Sequence, residues 1–312
     1  MTTSEILIDR MKRIQALAYN YSDQPMESVY LCNLCGGNYL VHLCDQDRYG
    51  FKANAYACSR CGLVFLNPRL TSTAYADFYA RIYRPLVTAY HGRLIDSKTI
   101  QDEQREYAIE RAEFAAPFLG QRRGERLLDI GGSTGVVAHH FSERFGYAGI
   151  VLDPSTEELH EAKKRGMSTI QGLFEKADFG NEKFDLVLLC QTVDHLSDIS
   201  VTLSKVRDLL TENGLLFVDI VDLRAAYLRQ WSIQEAIKID HPYYLTQETM
   251  EAFLDQKGFT VLRKEYAEDR LHISYLCDLA EPNPDYMPSI ESVTQLLREI
   301  STVQNAPRGT LL

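Results

Sequence analysis

Residues 127–141 read LLDIGGSTGVVAHHF. A short apolar strand runs into a glycine loop, and the loop opens a helix. Asp129 ends the strand, and Gly131, Gly132 and Gly135 form the loop. In open α/β sheets such a junction lies at the carboxyl ends of the strands, where ligands bind. A dinucleotide fingerprint would read GxGxxG and seat a pyrophosphate on the helix N-terminus. The spacing departs from that pattern. Asp129, immediately before the loop, is expected to point an anion into the crevice, which suits a cationic ligand better than a phosphate.

Outward from this junction the pattern keeps alternating. YAGIVLD (147–153), MSTIQG (167–172), FDLVLLC (184–190) and LLFVDIV (215–221) read as strands. Helices are expected over 134–146, 155–166, 198–214 and 246–258, most starting after Ser, Thr or Asp and ending at Gly. An irregular insertion fills about 223–245, and FTVLRKEYA (259–267) and LHISYLCDLA (271–280) close as strands. Apolar strands alternating with helices imply an α/β fold with a doubly wound, mostly parallel sheet. Asp153, at the end of the second strand in GIVLDPS, is placed to accept hydrogen bonds from ribose hydroxyls.

The first hundred residues differ chemically. They hold five of the seven cysteines and carry eleven Lys and Arg against eight Asp and Glu, a net +3. The whole chain is at −10, so the other 212 residues carry −13. Cys32, Cys35, Cys58 and Cys61 form two CxxC pairs, each followed by glycine and 22 residues apart. The two-residue spacer lets both thiolates of a knuckle converge on one ion, and the glycine tolerates the positive φ of the turn. Four thiolates leave no open position, so a structural Zn2+ in a zinc-ribbon-like module is expected, not a catalytic metal. Cys44 and His42 have no partner at knuckle spacing; Cys190 and Cys277 sit in apolar runs and read as core. Next, LVFLNPRL is a strand ending in a Pro turn. In TSTAYADFYARIYRP (71–85), Tyr75, Tyr79 and Tyr83 recur every four residues on one helix face until Pro85 stops it. This stripe suits packing on the next domain or contact with a substrate equally well. A polar helix is expected at about 97–119.

Composition narrows the function classes. Hydrophobic content of 45% and charged content of 24% describe a globular chain with a sizeable core. A charge of −10 argues against broad nucleic-acid binding. No stretch approaches the about 18–20 apolar residues of a membrane helix. The opening MTTSEILIDRMKRIQALAYN has no apolar h-region and reads as a short amphipathic helix, so a reducing, cytoplasmic setting is expected.

Residues 105–280 resemble the class I S-adenosylmethionine-dependent methyltransferases, a Rossmann-like fold. The family's acid-x-Gly-x-Gly-x-Gly motif falls on Asp129, Gly131, Ser133 and Gly135, with Ser133 in place of the middle glycine. The resemblance implies that the loop packs on the methionine part of S-adenosylmethionine and that Asp153 binds its ribose. QGLFEKADF resembles the adenine-contacting stretch, placing Leu173 and Phe174 beside the base. LLCQTVDHLSD resembles the fourth-strand motif, with Gln191 reaching the cofactor and Asp194 and His195 following.

The whole layout resembles bacterial methyltransferases with an N-terminal zinc-binding domain, some of which act on nucleotide-activated sugars. It implies a module over 1–100 and a methyltransferase domain over 101–312. The sugar C-methyltransferases of this group carry a further C-terminal Rossmann-like domain, whereas the sequence ends at Leu312 after an amphipathic helix. In the sugar enzymes a Glu-His pair in the insertion supplies the base, and Asp240-His241 resembles it. His195 is the second candidate. The contrary reading has His241 anchoring the loop and His195 capping a helix. The expected function is methyl transfer to carbon or oxygen of a small molecule, a (nucleotide-)sugar or natural-product intermediate. An anionic one would suit the −13 and +3 division. The alternatives are an RNA methyltransferase, with Arg48, Lys52, Arg60, Arg69, Arg81 and Arg84 as a modest basic surface, and a non-catalytic binding protein built on the zinc module.

Overall fold

The computed structural model describes residues 3–120 and 125–305; the outer ends of the two expected domains, residues 1–2 and 306–312, lie outside the described residues. The N-terminal part contains α1 (Thr3–Gln15), β1 (Met26–Glu27), β2 (Leu40–Gln46), β3 (Lys52–Cys58), β4 (Val64–Leu66) and β5 (Arg69–Leu70). Three helices follow, α2 (Ser72–Arg81), α3 (Tyr83–His91) and α4 (Ser97–Leu119). Then come β6 (Arg126–Ile130), α5 (Val136–Phe145), β7 (Ala148–Asp153), α6 (Thr156–Lys164), β8 (Ser168–Gln171) and β9 (Phe184–Cys190). The last part holds α7 (Ile199–Leu209), β10 (Leu210–Val221), α8 (Leu223–Gln230), α9 (Ile233–Ala236) and β11 (Tyr243–Tyr244). It ends with α10 (Gln247–Gln256), β12 (Phe259–Tyr266), β13 (His272–Leu279) and α11 (Ile290–Asn305).

Seven strands form one sheet in the order β12-β13-β10-β9-β6-β7-β8. β10, β9, β6, β7 and β8 are parallel, while β13 runs antiparallel to both β10 and β12. Side chains alternate across the pleat. Leu127, Leu186, Leu188 and Phe217 face α4 and α5, where Ala112, Ala115, Val137 and Phe141 close the layer. Leu128, Ile130, Val187, Leu189 and Val218 face α7 and α10, against Leu203, Val206, Met250 and Phe253. Full burial of each such large side chain stabilises the fold by about 1.5–3 kcal/mol. The sheet is covered on both faces, a doubly wound Rossmann-like arrangement. Strand order reverses at β6, which opens a crevice beyond the carboxyl ends of β6, β7 and β9.

The local expectations need three corrections. The Tyr-rich helix does not run on to Pro85: α2 ends at Arg81, and Pro85 sits in the first turn of α3, where its missing N–H costs no helical bond. The helix expected to reach Gly214 stops at Leu209, and 210–214 join β10, with a register shift against β9 between Leu210 and Leu215. The insertion is not irregular throughout. Asp222 caps α8 by accepting from the Arg224 and Ala225 N–H groups, and Ser232 caps α9 at Glu235.

A second, antiparallel sheet has the order β11-β4-β3-β2. Its edge strand β11 comes from the insertion, with Tyr243 opposite Phe65 and Tyr244 opposite Val64. The N-terminal residues, the insertion and α11 share one core, in which Leu43, Leu66, Tyr227, Ile239, Leu296 and Ile300 are all buried. Phe65 is fully buried and meets the Tyr243 ring edge-on at 6.4 Å. Phe65→Ala is expected to cost about 3–5 kcal/mol in urea unfolding. Because the core is shared, tryptophan fluorescence and circular dichroism should still report one coincident transition.

Candidate active site

The crevice beyond β6, β7 and β9 is a cavity of about 300 Å³. Its floor is the glycine loop. Gly131 has φ +71°, its N–H donates to the Leu152 carbonyl at 2.7 Å, and a Cβ there would lie 2.6 Å from Thr192 Cγ2. Only glycine fits this close approach without strain. Ser133, also left-handed at φ +50°, lends its hydroxyl to Glu158 (3.0 Å) and its N–H to Asp153 (3.0 Å). Thus the serine that replaces a glycine is tied into the cavity wall. Asp153 accepts a second bond from the Ser155 N–H at 2.8 Å. Burial nevertheless pushes its carboxyl up to about 6.

Of the sequence-predicted residues, Gly131, Ser133, Asp153, Leu173, Phe174, Gln191 and His195 line the cavity together. Gln191 stands at the end of β9 with φ +51°, a backbone conformation that concentrates at functional sites. Gly135 opens α5 from an αL position behind the loop, where a Cβ would lie 3.0 Å from that of Ala162, and it is not part of the lining. Asp129 does not point its charge into the crevice as expected. Strand alternation turns it to the face of Leu127, behind the loop, where a Cβ on Gly132 would meet its Oδ2 at 2.5 Å. It is fully buried, and neither carboxylate oxygen has a hydrogen-bond partner among the described residues. Burial, with Asp153 nearby, raises its pKa to about 7.

The opposite wall comes from α2 and α3. Tyr75, Tyr79 and Tyr83 all line the cavity, with Tyr75 also buried in the core beneath, so the stripe serves both packing and the site. Arg84 beside them pairs with Glu158 at 2.9 Å. Tyr79 reaches both His195 Nδ1 and the Asp240 carbonyl. The four-residue spacing marked this tyrosine and the motifs marked His195 and Asp240, but nothing in the sequence joined the three.

Asp240 and His241 are buried behind His195 and do not line the cavity. The His241 and His195 ring centroids are 4.2 Å apart. His241 Nδ1 meets Asp194 at 2.9 Å and Nε2 meets Asp240 at 3.2 Å, so a doubly protonated ring donates to a carboxylate on each side. Burial and Lys238 oppose this charge, but the two carboxylates outweigh them and raise the His241 pKa. Burial would likewise raise Asp194 and Asp240; His241 and Lys238 instead hold both well below the usual carboxylate range. His195 goes the other way: burial and the charged His241 push it down to about 4.

A family model described as "Methyltransferase domain" matches residues 100–264. The chain belongs to this methyltransferase domain family. It is 24% identical over 160 residues to the ubiquinone biosynthesis O-methyltransferase of Azorhizobium caulinodans, covering 46% of this chain and 62% of that protein. Against the protein of the same name from a Bradyrhizobium species it is 30% identical over 124 residues, covering 38% and 48%. The chain thus spans about half to three fifths of the length of these curated relatives. Among solved structures it is similar to an S-adenosylmethionine-dependent methyltransferase from Clostridium acetobutylicum, with 17% identity, 66% and 99% coverage and a TM-score of 0.45. For Streptomyces venezuelae DesVI the values are 18%, 60% and 99%, and 0.48. The methyltransferase domain match takes in the cavity floor, His195, Asp240 and His241; the α2–α3 wall precedes it.

Also before the methyltransferase domain, the ligand atoms of Cys32, Cys35, Cys58 and Cys61 lie within 4.8 Å of one another. Gly36 and Gly62 close the two knuckles by N–H bonds of 2.8 Å to the Cys32 and Cys58 carbonyls, both at positive φ as expected. The Gly37 N–H points at the Cys35 sulfur at 3.3 Å. Cys44 lies in β2, apart from the cluster, Cys277 is buried in the core, and Cys190 reaches the cavity edge.

The histidines set a pH dependence. His195 stays neutral in the folded state down to about 4, whereas an unfolded histidine takes up a proton near 6.5. The unfolded state therefore binds more protons in that window, and the His195 contribution falls as pH falls through it. His195→Asn should gain stability relative to the parent between pH 6.5 and about 4. Urea midpoints at stepped pH measure this.

Proposed function

We propose that the chain is an S-adenosylmethionine-dependent methyltransferase for a small molecule, with His195 as general base. The observation that carries the reading is one cavity with a glycine cradle and Asp153 at one end and a neutral imidazole at the other. The residues present fit the methyl donor. Gly131 and Ser133 would cradle its methionine part, Asp153 would accept from its ribose hydroxyls, and Leu173 and Phe174 would flank its adenine. Gln191 would reach it from the end of β9. Bound there, the donor would supply an activated methyl group.

The chain's own task is then to orient the acceptor and remove its proton. His195 suits this. Tyr79 gives its proton to the Asp240 carbonyl, leaving its oxygen, with that carbonyl at 3.2 Å, to accept from His195 Nδ1–H. This tautomer leaves Nε2 bare. His241, already charged between two carboxylates, has no free lone pair, so with Asp240 it positions His195 and does not act as base. For the acceptor, the tyrosine wall supports a small hydroxylated compound such as a sugar or natural-product intermediate. Calorimetry with S-adenosylhomocysteine, then transfer from labelled S-adenosylmethionine to pooled small acceptors, tests the function; absence of binding to folded protein refutes it. His195→Asn should lower kcat about 10²–10⁴-fold with unchanged affinity for S-adenosylhomocysteine. In the parent with the donor saturating, kcat/KM for the acceptor should lose the His195 contribution only as pH approaches about 4.

The four cysteines are proposed to hold one structural Zn2+. The donor set of four sulfurs, with glycine turns behind them, fits that ion and leaves no site for a substrate. The division into a module over 1–100 and a methyltransferase domain over 101–312 belongs to this reading. Metal analysis should find one zinc per chain, lost with a fall in melting temperature in Cys58→Ser.

A further inference from the structure

The turn carrying Asp240 and His241 is held from outside by two residues that neither motif nor family match includes. Asp47 and Arg48 lie in the turn between β2 and β3. Asp47 is fully buried. Its Oδ1 accepts from the Tyr49 and Phe51 N–H groups at 3.0 and 2.9 Å, which closes its own turn. Its Oδ2 does something else, accepting from the Ile239 N–H at 3.0 Å, one residue before Asp240. Arg48 grips the same segment twice. Its N–H donates to the Ile237 carbonyl at 3.0 Å, and its guanidinium donates to the Glu235 carbonyl at 2.9 and 2.6 Å.

This is more than a hairpin turn needs. One acceptor oxygen satisfies the local N–H groups, and a buried carboxylate is costly where an amide would serve. Among the described residues no ion-pair partner offsets that cost for Asp47: its hydrogen bonds come from three backbone N–H groups. The second oxygen finds its use in the segment that precedes the histidine. From there the turn tightens, with the His241 N–H donating to the Lys238 carbonyl at 3.1 Å and Tyr244 Oη bonded to Lys238 on both its N–H and its carbonyl. Fixing residues 235–239 therefore fixes where the Asp240 carbonyl meets His195 and where His241 meets Asp194.

Resting on His195 as the base, we propose that Asp47 and Arg48 are positioning residues for methyl transfer: the N-terminal sheet clamps the 235–241 segment and sets the geometry of the two histidines. The cofactor end of the cavity is built from the loops after β6, β7 and β8 and is not touched by this clamp. A misplacement of the base by a fraction of the catalytic distance is enough to slow chemistry without weakening the donor's binding.

Asp47→Asn tests this. It keeps the shape and one acceptor oxygen but sets an amide N–H against the Ile239 N–H. Expected are a fall in kcat of about 10²-fold, unchanged affinity for S-adenosylhomocysteine, faster hydrogen exchange at the Ile239 amide, and shifted His241 ring ¹⁵N signals. Arg48→Ala should move the same signals in the same direction. Unchanged kcat overturns the proposal, as do unchanged exchange and ring signals, or a parallel loss of kcat, cofactor affinity and melting temperature. Should the parent transfer a methyl group to no acceptor, the proposed function fails, while the exchange and ¹⁵N measurements still decide the clamp.

Discussion

Two carboxylates buried against one imidazole govern the arrangement of this molecule. Asp194 and Asp240 are almost completely buried, and His241 lies between them. An ionised carboxylate taken out of water costs several kcal/mol unless a counter-charge and good geometry offset it. Each of the three groups therefore requires the other two, and they come from different parts of the fold. Asp194 follows β9 in the large sheet, while Asp240 and His241 belong to the insertion that feeds β11 into the small one. The triad fastens the two sheets where they meet. Beside it His195 stays neutral chiefly through its own burial, helped by the charged His241 ring at 4.2 Å and opposed by the two carboxylates.

What could be read in the sequence follows from distance along the chain. The glycine loop and Asp153 sit at strand ends, so locating the strands located them at one edge of the sheet, while Leu173, Phe174, Gln191 and His195, also just beyond strand ends, were marked by their resemblance to family motifs. The cysteine pairs were legible for a similar reason, because a knuckle is a local turn with a local spacing. The direction of Asp129 was not, although the alternation that turns it away is itself a sequence property: proximity to the loop is a weaker guide than parity along the strand. Asp240-His241 was recognisable as a pair, but its partner Asp194 lies some fifty residues earlier, and only tertiary structure joins them. Asp47 left no signal at all. An acid before Arg-Tyr-Gly looks like an ordinary turn residue, and two of the three hydrogen bonds to its carboxylate are local.

The helices inside the insertion show the complementary failure. Asp222 and Ser232 are regular N-caps, yet the segments they start are eight and four residues long. Such lengths are too short for periodicity to register, and isolated helices this short are not stable in water. They persist because Leu223, Tyr227, Ile233 and Ala236 enter the core shared with the N-terminal residues.

The pairing of β4 with β11 also imposes an order on assembly. Val64 and Phe65 are made early in synthesis, while Tyr243 and Tyr244 emerge only after the large sheet's parallel strands. Until then β4 is an open edge, a surface that invites pairing with other chains. The glycine loop and Asp153 can be complete before the histidine turn exists. A nascent chain would thus hold its glycine loop and His195 before the turn that orients His195, and the site is complete only when its early and late segments close on each other.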